Sequence, residues 1–224
     1  MSDYSNKKIG VVLSGSGVFD GGEIHESVIT LLTLDEAKAQ IKCIAPDVDQ
    51  MHVIDHTKGE PVTGESRNVL RESARIARGE ITNIADISAN DLDALIFPGG
   101  FGVAKNLCTF ATEGTNCSVN SEVERLVKEM HAAKKPLAFI CIAPAMAAKI
   151  LGEHSPKLTI GSDKGTAEAI ESMGGLHVEC TVDEIVVDDK NKIVTTPAYM
   201  LGPSISHIAK GIRKCVNKVL EMTE

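Results

Sequence analysis

Short aliphatic runs, each ending in residues that no strand interior would choose, constrain this chain more than anything else in it. Lys8 to Leu13 (KIGVVL), Ile41 to Ala45 (IKCIA), Ala94 to Phe97 (ALIF) and Leu137 to Ile140 (LAFI) are apolar without alternation. Strands of that kind are covered on both faces, as in a parallel sheet between helix layers. Helical stretches separate them: about Glu23 to Lys38, Ser66 to Arg78 closed by Gly79, Ser121 to Ala133, and Pro144 to Leu151. Two more follow, Thr166 to Met173 closed by Gly174-Gly175, and Gly202 to Met222. The alternation predicts an α/β fold with a doubly wound, mostly parallel sheet sandwiched by helices. Smaller features are a hairpin begun by Met51 to Asp55, a short helix at Phe101 to Leu107 and a polar loop from Thr109 to Asn120. A short strand at Leu158 to Ile160 and a hairpin pairing Glu184 to Val187 with Ile193 to Thr196 complete the reading. A chain of 224 residues without a linker, repeat or low-complexity tract reads as one domain spanning 1–224.

Composition narrows the partners. Aromatics are 3% of the chain and Trp is absent, so stacking on nucleic-acid bases has few rings to use. A net charge of −8 repels phosphate backbones and anionic lipid headgroups. The longest largely apolar stretch, Pro136 to Ala148, is too short to span a bilayer and contains Pro144. The polar lead from Met1 to Lys8 has no secretory pattern. Cysteines at 43, 108, 117, 141, 180 and 215 form no CxxC pair and no usual zinc spacing, so neither a metal nor a disulfide framework is expected. The expected compartment is the cytoplasm, and most of the thiols read as small core residues, Cys180 in a strand. Cys108 and Cys117, flanking the polar loop, are the one candidate redox pair.

Ligands of doubly wound sheets bind beyond the carboxyl ends of the strands. Three such ends are unusual here: the Gly-rich turn Ser14 to Gly22, Pro98-Gly99-Gly100, and Cys141. In PLAFICIAPAMAAKI a strand runs straight into Cys141 and a helix follows at once, with Pro144 suited to its first turn and alanines keeping the bend small. This is the pattern of a strand–nucleophile–helix elbow, with the helix N-terminus placed to favour a thiolate. The amides at Gly99-Gly100, paired with that of Ile142, are candidate oxyanion donors. Glu23 and Glu26 lie three apart at the start of the first helix with His25 between them, and either carboxylate is a candidate partner for the thiol. The same turn, with Gly15, Gly17 and Gly21, also resembles a dinucleotide fingerprint, and Asp47 stands where a ribose-binding acid belongs. Asp20, Glu23 and Glu26 oppose that reading, because they already place negative charge where a pyrophosphate would sit. Arg67, Arg71, Arg75 and Arg78 form a basic stripe along one predicted helix, and Tyr199 stands at a strand end where it either lines the site or packs.

Together the three strand ends resemble the PfpI-type, class I glutamine-amidotransferase-like superfamily. More closely, GVVLSGSGVFDGGEIHE, RNVLRESARIARGEI, DALIFPGGFGVAKNL, FICIAPAM and IVTTPAYML resemble the ElbB family of isoprenoid-biosynthesis proteins with an amidotransferase-like domain, over essentially the whole chain. The resemblance implies a flavodoxin-like sandwich, a homodimer, no cofactor, and glutathione-independent conversion of glyoxal to glycolate, with protein deglycation as a related activity. Carried over by position, it implies Cys141 as nucleophile, Glu26 as the acid, and Gly100 and Ile142 as oxyanion donors. Many superfamily members have His directly after the Cys, where this chain has Ile142. His177-Val178-Glu179 resembles the amidotransferase His-x-Glu pair but lies in the wrong part of the chain. A Glu-assisted thiol therefore fits better than a triad. Three readings follow: an aldehyde-converting enzyme, a non-enzymatic thiol redox sensor or chaperone-like protein, and a nucleotide-binding oxidoreductase.

Overall fold

The computed structural model describes residues 4–224; Met1 to Asp3 of the polar lead lie outside the described residues. Strand β1 (Lys8–Val12) leads through the Gly-rich turn into helix α1 (Ile24–Glu36), followed by β2 (Gln40–Ala45), α2 (Val69–Ile76) and β3 (Ile81–Asn83). Then come β4 (Ala94–Phe97), α3 (Ser121–Ala132), β5 (Leu137–Ile140), α4 (Ala143–Leu151) and α5 (Lys164–Ser172). The chain closes with β6 (Val186–Asp188), β7 (Ile193–Thr196) and α6 (Ile205–Glu221). One seven-stranded sheet runs in the order β6-β7-β5-β4-β1-β2-β3, and only the β6–β7 pair is antiparallel. The expected doubly wound α/β architecture is what forms.

The unalternating strands are indeed covered on both faces. One core layer packs α3 and α4 residues such as Leu126, Met130 and Met146 against Val12, Leu95 and Phe139. The other packs Ile29, Leu34, Ile208 and Ile212 of α1 and α6 against Ile9, Val11, Ile96 and Ala138. Phe97 and Phe139, on neighbouring strands, are fully buried and stacked with centroids 5.0 Å apart. Because β1 lies between β2 and β4, the strand order reverses there. The carboxyl ends of β1, β4 and β5 therefore open onto one crevice.

Some expectations change. Ile81–Asn83 pairs with β2 as an unforeseen edge strand; three residues are too few to show a period. Lys157–Leu158 pairs in parallel with Leu176–His177 in a small separate sheet and so extends no main strand. Cys180 lies in no strand. The helix expected over 66–78 is only Val69–Ile76, capped by the Asn68 carboxamide, and Arg78 has φ +54°. Arg67 and Arg78 thus fall outside it, and no four-arginine stripe exists. Arg67 and Arg75 flank Glu72 at 3.7 and 3.0 Å instead. The short helix after PGG is mainly one widened turn, Val103–Leu107, and the polar loop contains a helical turn at Phe110–Glu113.

Candidate active site

The strand-to-helix turn after β5 is as sharp as its sequence implies. Cys141 has φ +63°, the left-handed region that a β-carbon makes costly by about 1–2 kcal/mol. Its amide still donates to the Thr196 carbonyl at 3.0 Å, continuing the β5–β7 ladder, so the sheet fixes the backbone on one side. The following helix α4 fixes it on the other, with Pro144 in its first turn. Cys141 is 7% exposed.

Of the two candidate carboxylates, Glu26 reaches the thiol. It is fully buried in α1 and hydrogen-bonds Cys141, while its two oxygens accept the amide of Gly99 at 2.9 Å and that of Tyr199 at 3.2 Å. Glu23 has another task. Its backbone is extended, and its carboxylate caps α1 by accepting the Glu26 amide at 2.7 Å. Its own amide donates to the Gly99 carbonyl at 2.9 Å, which ties the start of α1 to the turn after β4. His25 points elsewhere, Nδ1 lying 2.8 Å from the Tyr199 hydroxyl and 3.9 Å from Glu23. The amides of Gly100 and Ile142 both hydrogen-bond the Cys141 sulfur, so the two expected donors converge on that atom.

Burial, helped by the nearby charge of Glu23, pushes Glu26 up to about 7. Burial and the charge of Glu26 hold the Cys141 thiol well above its ordinary range, against the pull of the two amides. This corrects the expectation of a resting thiolate. The helix N-terminus is present, but desolvation and a carboxylate in contact outweigh it. The pair shares protons as a unit, and sulfur can carry charge only as Glu26 takes its proton.

Gly99 makes the contact possible. A β-carbon there would stand 2.4 Å from Cys141 Cβ, 2.7 Å from Glu26 Oε2 and 3.0 Å from the sulfur. Gly99→Ala is therefore expected to cost about 1–3 kcal/mol of stability and to displace the carboxylate. The measurement is a thermal melt together with Cys141 alkylation kinetics. A variant indistinguishable from wild type in both would contradict the contact.

The Gly-rich turn is closed on itself. Gly17 donates to the Gly22 carbonyl, Gly21 to that of Gly17, and Gly15 to the Ser73 hydroxyl. Asp20 is buried and accepts the Ile54 amide at 2.7 Å, and Asp47 holds the Asn68 carboxamide at 2.8 Å. The amides and the acid that a dinucleotide would need are thus engaged within the protein, and Glu23 fills the N-terminus of α1. His177 accepts the Ile160 amide in the small sheet, so the His-x-Glu likeness does not reach Cys141.

Beside Cys141 opens a cavity of about 370 Å³. Its walls come from Val18, Phe101, Ala104, Phe110, Ala111, Ile142 and Met200, with Thr166 and Tyr199 as the polar side chains besides the thiol. Tyr199 lines the site, as one of its two expected readings had it. Its amide contact to Glu26 went unforeseen, because it depends on φ +43° at Ala198. Phe110 and Ala111 came from the stretch read as a polar loop, where FA between threonines was the available signal.

The remaining thiols are not part of this site. Burial pushes Cys43 up to about 11 and Cys108 up to about 12. Cys108 and Cys117 do lie side by side in hydrogen-bond contact. Among the described residues no cluster of His, Cys, Asp and Glu is placed to hold a metal, and no helix is long and apolar enough to cross a membrane.

Several known proteins are similar to this chain. A rat protein named "ES1 protein homolog, mitochondrial" is 54% identical over 96% of this chain and 84% of its own length. The human "Glutamine amidotransferase-like class 1 domain-containing protein 3, mitochondrial" is 53% identical over 96% of this chain and 83% of its own. A crystal structure of an isoprenoid biosynthesis protein with an amidotransferase-like domain from Ehrlichia chaffeensis superposes with a TM-score of 0.90. It is 37% identical and covers 97% of this chain and all of its own. The model of the DJ-1/PfpI family matches residues 17–201, a span that includes Glu26, the PGG turn and the Cys141 elbow. By this match and these identities, the chain belongs to the DJ-1/PfpI family.

Proposed function

We propose that this protein is a glutathione-independent glyoxalase that converts glyoxal and related α-oxoaldehydes to hydroxy acids, glycolate in the simplest case. The observation that carries the reading is the Glu26–Cys141 contact in a cavity whose other polar groups are amides and hydroxyls. Glu26 with a pKa near 7 can both accept and return a proton near neutral pH.

As the sulfur adds to the aldehyde carbon, Glu26 takes the thiol proton, and the new oxyanion forms within reach of the Gly100 and Ile142 amides. Glu26 returns the proton to that oxygen, giving a neutral hemithioacetal. It then removes the hydrogen from the same carbon. The electron pair moves into an enediol as the neighbouring oxygen takes that proton. The hydroxyl on the sulfur-bearing carbon then gives up its own proton, which Glu26 passes to the neighbouring carbon, leaving the thioester of a hydroxy acid. Water cleaves the thioester, releasing the acid and restoring the thiol. The redox change is internal to the substrate, so no cofactor enters the balance.

Two observations separate this reading from its rivals. A redox sensor needs an exposed, acidic thiol, whereas Cys141 is buried and its proton is held tightly. Glutamine is a zwitterion, and among the described residues no charged side chain lines the cavity to receive it. The test is to incubate purified protein with glyoxal, without glutathione, and follow the products by proton NMR. Stoichiometric glycolate supports the proposal, and undiminished glyoxal overturns it.

We further propose a homodimer. Ile24, Val28 and Leu32 form an outward stripe on α1, each 43–48% exposed, which is unusual for a solvated helix face. Val28→Glu puts a charge in its middle and is expected to weaken self-association at least about tenfold. Sedimentation velocity on wild type and variant decides it; a monomeric wild type would end this part. The cytoplasmic placement expected from the sequence stands beside relatives named mitochondrial. The property proposed here is the coarser one that the free thiols support, a reducing aqueous compartment.

A further inference from the structure

Glyoxal is two joined aldehydes and nothing more, and it leaves most of a 370 Å³ cavity empty. Cavities of about 300–1,000 Å³ hold ligands with a body beyond the reacting group. The walls say what kind of body. Val18, Phe101, Ala104, Phe110, Ile142 and Met200 offer aliphatic and aromatic surface, and among the described residues no charged side chain lines the space. Lys105 is the cation beside this wall. It sits over the Phe101 ring at 5.3 Å and donates to the Phe19 carbonyl at 2.8 Å, so it is engaged and does not line the cavity. Ala104 and Ala111 are the small side chains on this wall.

We infer that the substrates this site favours are uncharged α-oxoaldehydes carrying an apolar aryl or branched alkyl group, which this cavity holds while Cys141 meets the aldehyde. The inference rests on the glyoxalase reading and narrows its substrate class. The reaction keeps the same balance: substrate plus water gives the matching α-hydroxy acid, with the apolar group unchanged. Burying that group transfers its surface from water to the cavity walls, which favours binding in proportion to the area covered. A carboxylate or phosphate on the substrate would meet no cation among the lining side chains. The same physics favours release of the product, whose ionised acid meets no cation among the lining side chains.

The experiment compares kcat/KM for glyoxal, phenylglyoxal and para-carboxyphenylglyoxal on the wild type and on Ala111→Leu. Ala111 is exposed on its outer side, so the larger side chain is tolerated by the fold. Phenylglyoxal is expected to exceed glyoxal by tenfold or more on wild type, with mandelate as product. The para-carboxy compound is expected to fall at least tenfold below phenylglyoxal. In Ala111→Leu the ratio of the phenylglyoxal to the glyoxal value should drop about tenfold, with a melting curve reporting correct folding. Conversion of glyoxal with no preference for phenylglyoxal overturns this inference and leaves the glyoxalase reading standing. Conversion of none of the three overturns both.

Discussion

Cys141→Ala is expected to lower glycolate formation by about a thousandfold or more, to the level set by the amides and the cavity alone. The sulfur is the atom to which the substrate carbon must bond, and the hydroxyls of Thr166 and Tyr199 are the other side-chain oxygens on the cavity wall. Neither has a buried carboxylate to accept its proton; Glu26 is committed to Cys141, Gly99 and Tyr199 N–H. The substitution should leave the fold intact. Alanine meets the same φ of +63° as cysteine, and removing the sulfur relieves a buried contact between two groups that resist ionisation together. The check is the glycolate rate alongside a melting curve. A variant that folds normally and keeps a tenth of the wild-type rate would rule out a covalent role for the thiol.

Glu26→Gln is expected to be nearly as damaging to turnover and to change two pH profiles. In wild type, kcat/KM should rise with pH and level off above about 7, because the working form needs Glu26 ionised to receive the thiol proton. Glutamine cannot accept that proton, so the residual rate should lose this limb. The second profile is stability. Glu26 is raised from 4.5 to about 7, so its contribution is fully present below about 4.5 and is lost as pH rises through about 7. The loss is on the order of 3 kcal/mol for the complete titration. Glutamine does not ionise, so the variant should show a flatter dependence between about pH 5 and pH 8. Its absolute stability at the acid end should be lower than that of wild type. Glu26 gives one oxygen to each of two amides, whereas glutamine sets its NH₂ against one of them. Urea unfolding at the two pH values measures both effects. A variant as pH-dependent as wild type would show that another group controls the profile.

The parts of this arrangement legible in the sequence are those that local chemistry dictates. Aliphatic runs without alternation place β1, β4 and β5 in the sheet interior, and Pro144 with its alanines marks a turn where only a small residue such as Cys141 fits. Glu26, Gly100 and Ile142 followed from resemblance and position, and all three meet the sulfur. Other parts depend on contacts between distant segments. Glu23 and Glu26 look alike in the sequence, and only the turn after β4 separates a cap from a partner. The protonation of Cys141 depends on how completely both groups are buried, which no local pattern records. The Tyr199 amide reaches Glu26 from 173 positions away. The cavity wall from Phe110 and Ala111 is hidden by the polar residues around it. Cys108 and Cys117 are paired in space, yet both are buried, so proximity alone does not make them a redox couple.

The stacked rings of Phe97 and Phe139 lie only a few residues before Gly99 and Cys141 on adjacent central strands. Segments so placed open only when the whole molecule opens, because no loop or edge lets them part locally. The Cys141 amide, bonded to Thr196, should then exchange with solvent deuterium as slowly as the slowest amides of the sheet. Catalytic groups of many enzymes ride on loops that breathe; here the proposed nucleophile is expected to stay fixed until the sheet itself opens. Substrate must come to the thiol through the cavity mouth, since the thiol does not come out to meet it.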